Sequence, residues 1–189
     1  GYDAVTVDLQ HGMLGTDTAI AMLQAISAQP AAPMVRVPSL DEPLIMKMLD
    51  AGAYGIVCPS IESAEQARRL VDACGYPPVG SRSVGPARGL LHGGADYVQH
   101  ANDTVLVWAM IESRAGLNEL DEVCAVEGLD AIYIGPSDLA ASLGVPIGAY
   151  PLPDELSAAI DTIIAAAHAR GLRVGIFCPG EDMAVDMVG

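Results

Sequence analysis

The chain has 189 residues, enough to bury one substantial core, and 51% hydrophobic content against 17% charged residues excludes a disordered segment. The 24 acids against 9 bases give a formal net charge of −15, which leaves no basic stripe for a phosphate backbone and argues against a nucleic-acid partner. No apolar run reaches the roughly 18 to 20 residues that cross a bilayer, so no membrane role is expected.

Residues 4–9 (AVTVDL) open with a β-type run, and residues 16–29 read as a helix. Residues 33–38 (PMVRVP) form a second strand that prolines punctuate at its ends, then a helix near 43–53 leads into the strand YGIVCP at 54–59. Ser63 is an N-cap candidate for a helix over 63–74, with acids early and arginines later. Residues 75–94 are too rich in Gly and Pro for regular structure and read as a long functional loop, in which Arg82 and Arg88 could close over an anion. A short helix follows at 95–102. TVLVWAMIE at 104–112 is the clearest strand, succeeded by helical 117–128 and the strand LDAIYIG at 129–135. Residues 155–171 repeat apolar positions at helical spacing up to a Gly stop, RVGIF is a further strand, and residues 180–188 begin another helix.

Six strand signals alternating with helices imply a parallel sheet in a single α/β domain. An open, flavodoxin-like sheet and a (β/α)8 TIM barrel both satisfy that pattern. The barrel is preferred, because functional-looking residues recur at the carboxyl ends of several strands. A closed barrel takes about 250 residues. The chain starts at Gly1 without an initiator methionine and stops inside a helix, so it is read as a fragment lacking the first and last strand regions. Cysteines 58, 74, 124 and 178 lack close pair spacing and read as reduced thiols of a cytoplasmic protein.

The chemistry lies at strand ends. Glu112 closes the strongest strand and Asp138 follows DAIYIGPS; in one barrel the two carboxylates meet at one end and suit Mg²⁺ or Mn²⁺, whereas helix capping or ion pairing is the plainer use of such acids. Asp8 and His11, in DLQHG, form a candidate general-base dyad, or else a loop Asp that caps a helix beside a surface His. Arg36 within an apolar strand offers a donor fork to a carboxylate or enolate, or makes a structural ion pair. In IGPSDLAASLG, Gly135 permits close backbone approach and Ser137 or Asp138, after Pro136, can start a short helix whose free N–H groups receive an anion, or the segment is a helix-starting turn without a ligand. Trp108, Met110 and Glu112 share one strand face, which makes Met110 a candidate pocket wall. Lys47 is the one lysine and falls within a helix, which disfavours Schiff-base chemistry.

The ordered set YDAVTVDLQHG, MVRVP, DAGAYGIVCPSIESAEQARRLVDAC, YPPVGSRSVG, VWAMIE and YIGPSDLAASLG resembles the HpcH/HpaI class II pyruvate aldolases, including those acting on 2-keto-3-deoxy acid sugars. The resemblance covers almost the whole chain. It implies a modified TIM barrel in which Glu112 and Asp138 bind Mg²⁺, Mn²⁺ or Co²⁺ and Arg36 contacts the pyruvyl unit. It further implies that His11 with Asp8 handles protons, and that backbone at Gly135 to Ser137 binds the pyruvate carboxylate. The implied reaction is reversible cleavage of a 4-hydroxy-2-oxo acid to pyruvate and an aldehyde, in a homo-oligomer, commonly a hexamer. Gln10 stands where many relatives have Glu, and Met110 where some have Gln. Two other readings are cleavage of a citramalyl- or malyl-CoA type thioester and binding of an oxo acid or metal without catalysis. The acidic, lysine-poor chain offers little surface for CoA.

Overall fold

The structure is a computed structural model and describes residues 1–188. Strands and helices alternate in the first half as β1 (Ala4–Asp8), α1 (Thr16–Ile26), β2 (Ala32–Arg36), α2 (Glu42–Asp50), β3 (Gly55–Cys58) and α3 (Ala64–Cys74). Two short helices, α4 (Gly89–Gly93) and α5 (Tyr97–Thr104), lead to β4 (Leu106–Ile111), and α6 (Arg114–Asn118) and α7 (Leu120–Cys124) lead to β5 (Ala131–Ile134). The chain continues through α8 (Pro136–Leu143), α9 (Asp154–Ala169), β6 (Arg173–Ile176) and α10 (Glu181–Val188). The helix expected across 117–128 is split, because Glu119 leaves helical geometry (φ −106°, ψ 15°) between α6 and α7.

Local chemistry accounts for the helix ends. Ser63 Oγ accepts the Gln66 N–H at 3.2 Å and starts α3, and Asp41 does the same for α2 through the Leu44 N–H at 3.0 Å. Gly144 takes the left-handed conformation (φ 80°) that ends α8 without a Cβ clash. In α9, Leu156, Ile160, Ile163 and Ala167 form one buried stripe at helical spacing.

All strand pairs are parallel, and the sheet order is the chain order, β1-β2-β3-β4-β5-β6. Sequential order has a topological consequence. Right-handed crossovers that always step in one direction put every connecting helix on the same face. That excludes the flavodoxin-like arrangement, in which the winding reverses and helices cover both faces. The helix-covered, convex face holds the main core, with Val35, Ile56, Ile132 and Ile134 fully buried. The alternate residues Met34, Val57, Trp108, Met110 and Tyr133 form a separate small cluster on the concave face.

The expectation of a closed (β/α)8 TIM barrel is corrected. A barrel closes only when its last strand pairs with its first, whereas here β1 pairs only with β2 and β6 only with β5 among the described residues. The architecture is an open, curled six-stranded half-barrel, and the two flanking strands expected for a closed one form no part of it. Among the described residues no helix is long and apolar enough to cross a membrane.

Candidate active site

Parallel pairing brings the carboxyl ends of the strands to one rim, and the polar side chains gather there. Asp8 and Arg36 are register partners at the ends of β1 and β2. Arg36 donates Nε to Asp8 Oδ1 at 2.9 Å and Nη2 to Oδ2 at 2.6 Å, a bidentate fork. Asp8 Oδ1 also accepts the backbone N–H groups of Gln10 (3.0 Å) and His11 (3.3 Å). Burial alone would raise the Asp8 carboxyl; the Arg36 fork and the two backbone donors outweigh it and hold the group below its ordinary value. The same bond to Asp8 raises Arg36 against the opposing effect of burial.

In this geometry the Asp8 side chain pairs with Arg36 and not with the His11 imidazole. The Asp8 carboxylate engages Arg36 and the backbone of the turn. It touches His11 through the main chain, while the exposed imidazole stands on the wall of the cleft.

Glu112 is the residue directly after β4, on the concave side with Trp108 and Met110, and only 5% exposed. Its Oε1 accepts the Ser60 backbone N–H at 2.8 Å and the Ser60 hydroxyl at 3.2 Å. Its Oε2 is buried with no hydrogen-bond partner. Burial raises the Glu112 carboxyl first of all, and the charge of Asp138 adds to that, against the lowering effect of the Ser60 donors and Arg36. Gly135 lies directly against this group: a Cβ there would meet Glu112 Oε2 at 2.5 Å and collide with the Met110 methyl. Pro136 then opens α8, which puts Asp138 in the first turn with Ser137 exposed beside it.

A cleft of about 290 Å³ is lined by Asp8, His11, Arg36, Gly135, Ser137 and Asp138, with Met110 and Phe177 as apolar walls, and Glu112 packs against Gly135 of that lining. The structure thus assembles at one rim the residues that the sequence singled out. Ser60 and Phe177 are additional. Ser60 stands two residues beyond β3, and the rule of reading strand ends for function would have reached it, but a serine after Pro59 reads first as a turn.

The donor set fits a hard divalent cation. Asp138 lines the cleft, and Glu112, packed against Gly135 of its wall, carries a buried oxygen that nothing in the protein satisfies, an arrangement costly without a cation or proton. No cluster of three or more His, Cys, Asp or Glu side chains exists among the described residues, so an ion held by Glu112 and Asp138 would need water or substrate oxygens at its remaining positions.

Other candidates are structural. Arg82, expected on a loop that closes over anions, is 2% exposed, pairs with Asp50 at 2.8 Å and lies over the Tyr76 ring at 4.3 Å. It ties the 75–94 segment to α2. The Cys58 thiol is pushed up to about 12 by burial and then by Glu112, which disqualifies it as a nucleophile. Lys47 is exposed on α2, away from the cleft lining.

Residues 1–188 match the family model described as HpcH/HpaI aldolase/citrate lyase. The chain is 44% identical over 181 residues to a hydroxypyruvate/pyruvate aldolase of Rhizorhabdus wittichii, covering 94% of this chain and 70% of that protein. It is 37% identical over 188 residues to a 2-keto-3-deoxy-L-rhamnonate aldolase of Escherichia coli, covering 97% of this chain and 69% of that protein. Hydroxypyruvate/pyruvate aldolases from three organisms are spanned over 64% to 70% of their own length. A crystal structure of an HpcH/HpaI aldolase/citrate lyase family protein from Burkholderia cenocepacia superposes with a TM-score of 0.89 at 35% identity, over 99% of this chain and 75% of that one. With a carboxylate-lined rim on a sequentially wound sheet and likeness along its whole length, the chain belongs to the HpcH/HpaI aldolase/citrate lyase family.

Proposed function

We propose that this chain is a divalent-metal-dependent aldolase that reversibly cleaves a 4-hydroxy-2-oxo acid to pyruvate and an aldehyde. The observation that carries the reading is the buried, unpartnered Oε2 of Glu112, which lies against Gly135 in the wall of the cleft that Asp138 and Arg36 line. Glu112 and Asp138 hold the cation, with Mg²⁺ preferred and Mn²⁺ or Co²⁺ as substitutes. When bound, such an ion polarises the oxo-acid oxygens and offsets the negative charge that develops as the C3–C4 bond breaks.

The chain's own residues supply the rest. Arg36, oriented through Nε and Nη2 by Asp8, keeps Nη1 without a protein partner among the described residues and donates it to the pyruvyl oxygen. Asp8, held ionised by that fork, is a poor proton acceptor at neutral pH, which leaves His11 to take the C4 hydroxyl proton and to return one to C3. Gly135, Pro136 and Ser137 present the start of α8 to the substrate carboxylate. Three relatives' names add that pyruvate and hydroxypyruvate are the two oxo acids to test first. Assembly as a homo-oligomer, a hexamer in the fullest form, belongs to the same reading.

Exchange of the pyruvate C3 protons in D₂O, followed by NMR, tests the reaction without knowledge of the aldehyde. Exchange with Mg²⁺ or Mn²⁺ that stops on chelation is the expected result. Exchange that survives rigorous chelation, or a borohydride-trapped Lys47 adduct, would sink the reading.

A further inference from the structure

The carboxylate of Glu112 is held in an unusual way. Ser60 is the one non-glycine residue with positive φ among the described residues, at 56°. An L-residue adopts that conformation only where its surroundings enforce it. Here they do. The next residue, Ile61, donates its N–H to the Met110 carbonyl at 3.1 Å, which fastens the turn to the neighbouring strand β4. A Cβ at Gly116 would lie 2.9 Å from the Ile61 carbonyl oxygen, so the start of α6 also packs closely against the turn. Pinned in this way, Ser60 directs both its backbone N–H and its hydroxyl to the same atom, Glu112 Oε1.

Two donors on one oxygen fix the rotation of the carboxylate. The second oxygen, Oε2, then lies against Gly135, where only the absence of a side chain leaves room for it. Donors saturate one oxygen and a glycine clears space for the other. We propose that Ser60 is a positioning residue that orients the Glu112 carboxylate so that Oε2 is free for a divalent cation, with Gly135 as the space-making half of the same device. The inference rests on the metal reading above and goes beyond it, since neither residue is itself a side-chain ligand.

Partners of this kind, one shell out from a metal, change affinity by roughly 10- to 100-fold when removed. The test is a titration of the metal-free chain with Mn²⁺, read by calorimetry and by the electron paramagnetic resonance of free Mn²⁺. Ser60→Ala keeps the N–H and deletes the hydroxyl; Ser60→Gly also releases the backbone. Both are expected to fold and to weaken Mn²⁺ binding, by about 10-fold or more for Ser60→Gly. Gly135→Ala, which forces Oε2 aside, is expected near the upper end of that range. Turnover of Ser60→Ala should return toward the parent rate once Mn²⁺ saturates, because the defect lies in holding the ion. If both Ser60 variants bind Mn²⁺ within about twofold of the parent, well inside the range for such partners, the positioning role is overturned and the metal reading survives. If the parent chain binds no Mn²⁺, both fall together. Should Gly135→Ala fail to fold, the Ser60 pair decides the matter alone.

Discussion

On the convex face of the sheet, Val35, Ile56, Ile132 and Ile134 press against the helices in one aliphatic core. One residue along each strand, the concave face carries a thin apolar patch of Met34, Val57 and Met110, and buries two polar atoms with no partner, Trp108 Nε1 and Glu112 Oε2. The period of two along a strand separates these tasks without separating them in sequence. Stability is concentrated on one side of each strand. The other side is left to carry groups that a core optimised for stability would not tolerate.

Paired substitutions break this comparison most directly. Glu112→Gln, on the concave side, should lower kcat by about 1,000-fold, the several kcal/mol that a bound cation contributes, and leave the melting temperature equal or higher because a buried carboxylate becomes a neutral amide. Ile132→Ala, fully buried on the convex side, should do the reverse: a loss of about 2–5 kcal/mol in urea unfolding with kcat of the folded protein unchanged. Either residue showing the other's phenotype would dissolve the division between the faces.

The rim offers a finer test. Asp8 has a folded pKa below its ordinary 3.8, so its contribution to stability is complete above that value and is lost as pH falls through the lower folded one. Asp8→Asn should therefore melt lower than the parent at neutral pH, and the two curves should converge as the solution is acidified. Parallel curves across the acid limb would show that the Arg36 fork contributes nothing to the native state.

How much of this is legible in the chain depends on range. The strands at 104–112 and 129–135 announce themselves through uninterrupted aliphatic runs, and Ser63 reads as a cap because its partner Gln66 is three residues away. Glu112 and Asp138 stand out as acids that follow such runs. Closure of the sheet is a different matter: it depends on whether β6 meets β1, a contact that no local pattern encodes, and here the expected barrel gives way to an open arc. The bond from Ser60 to Glu112 spans 52 residues, and the capture of Asp8 by Arg36 spans 28. Spacing within DLQHG points Asp8 toward His11, but parallel register puts Arg36 directly opposite, and a bidentate charge pair outcompetes a carboxylate–imidazole contact.

The smallest expected effect is the most searching test of the concave face. Trp108 Nε1 is a buried donor without a partner, and its ring edge lies so close to Gly175 that a Cβ there would approach within 2.7 Å. Trp108→Phe removes an unsatisfied N–H, worth about 1–3 kcal/mol, and at the same time opens space where the larger ring met β6. These terms oppose each other at similar size, so urea unfolding should shift by less than about 1 kcal/mol, far below the change at Ile132. A loss as large as that of Ile132→Ala would mean that the indole contributes a satisfied bond and tight packing, and that the inner face is tuned for stability as closely as the outer one.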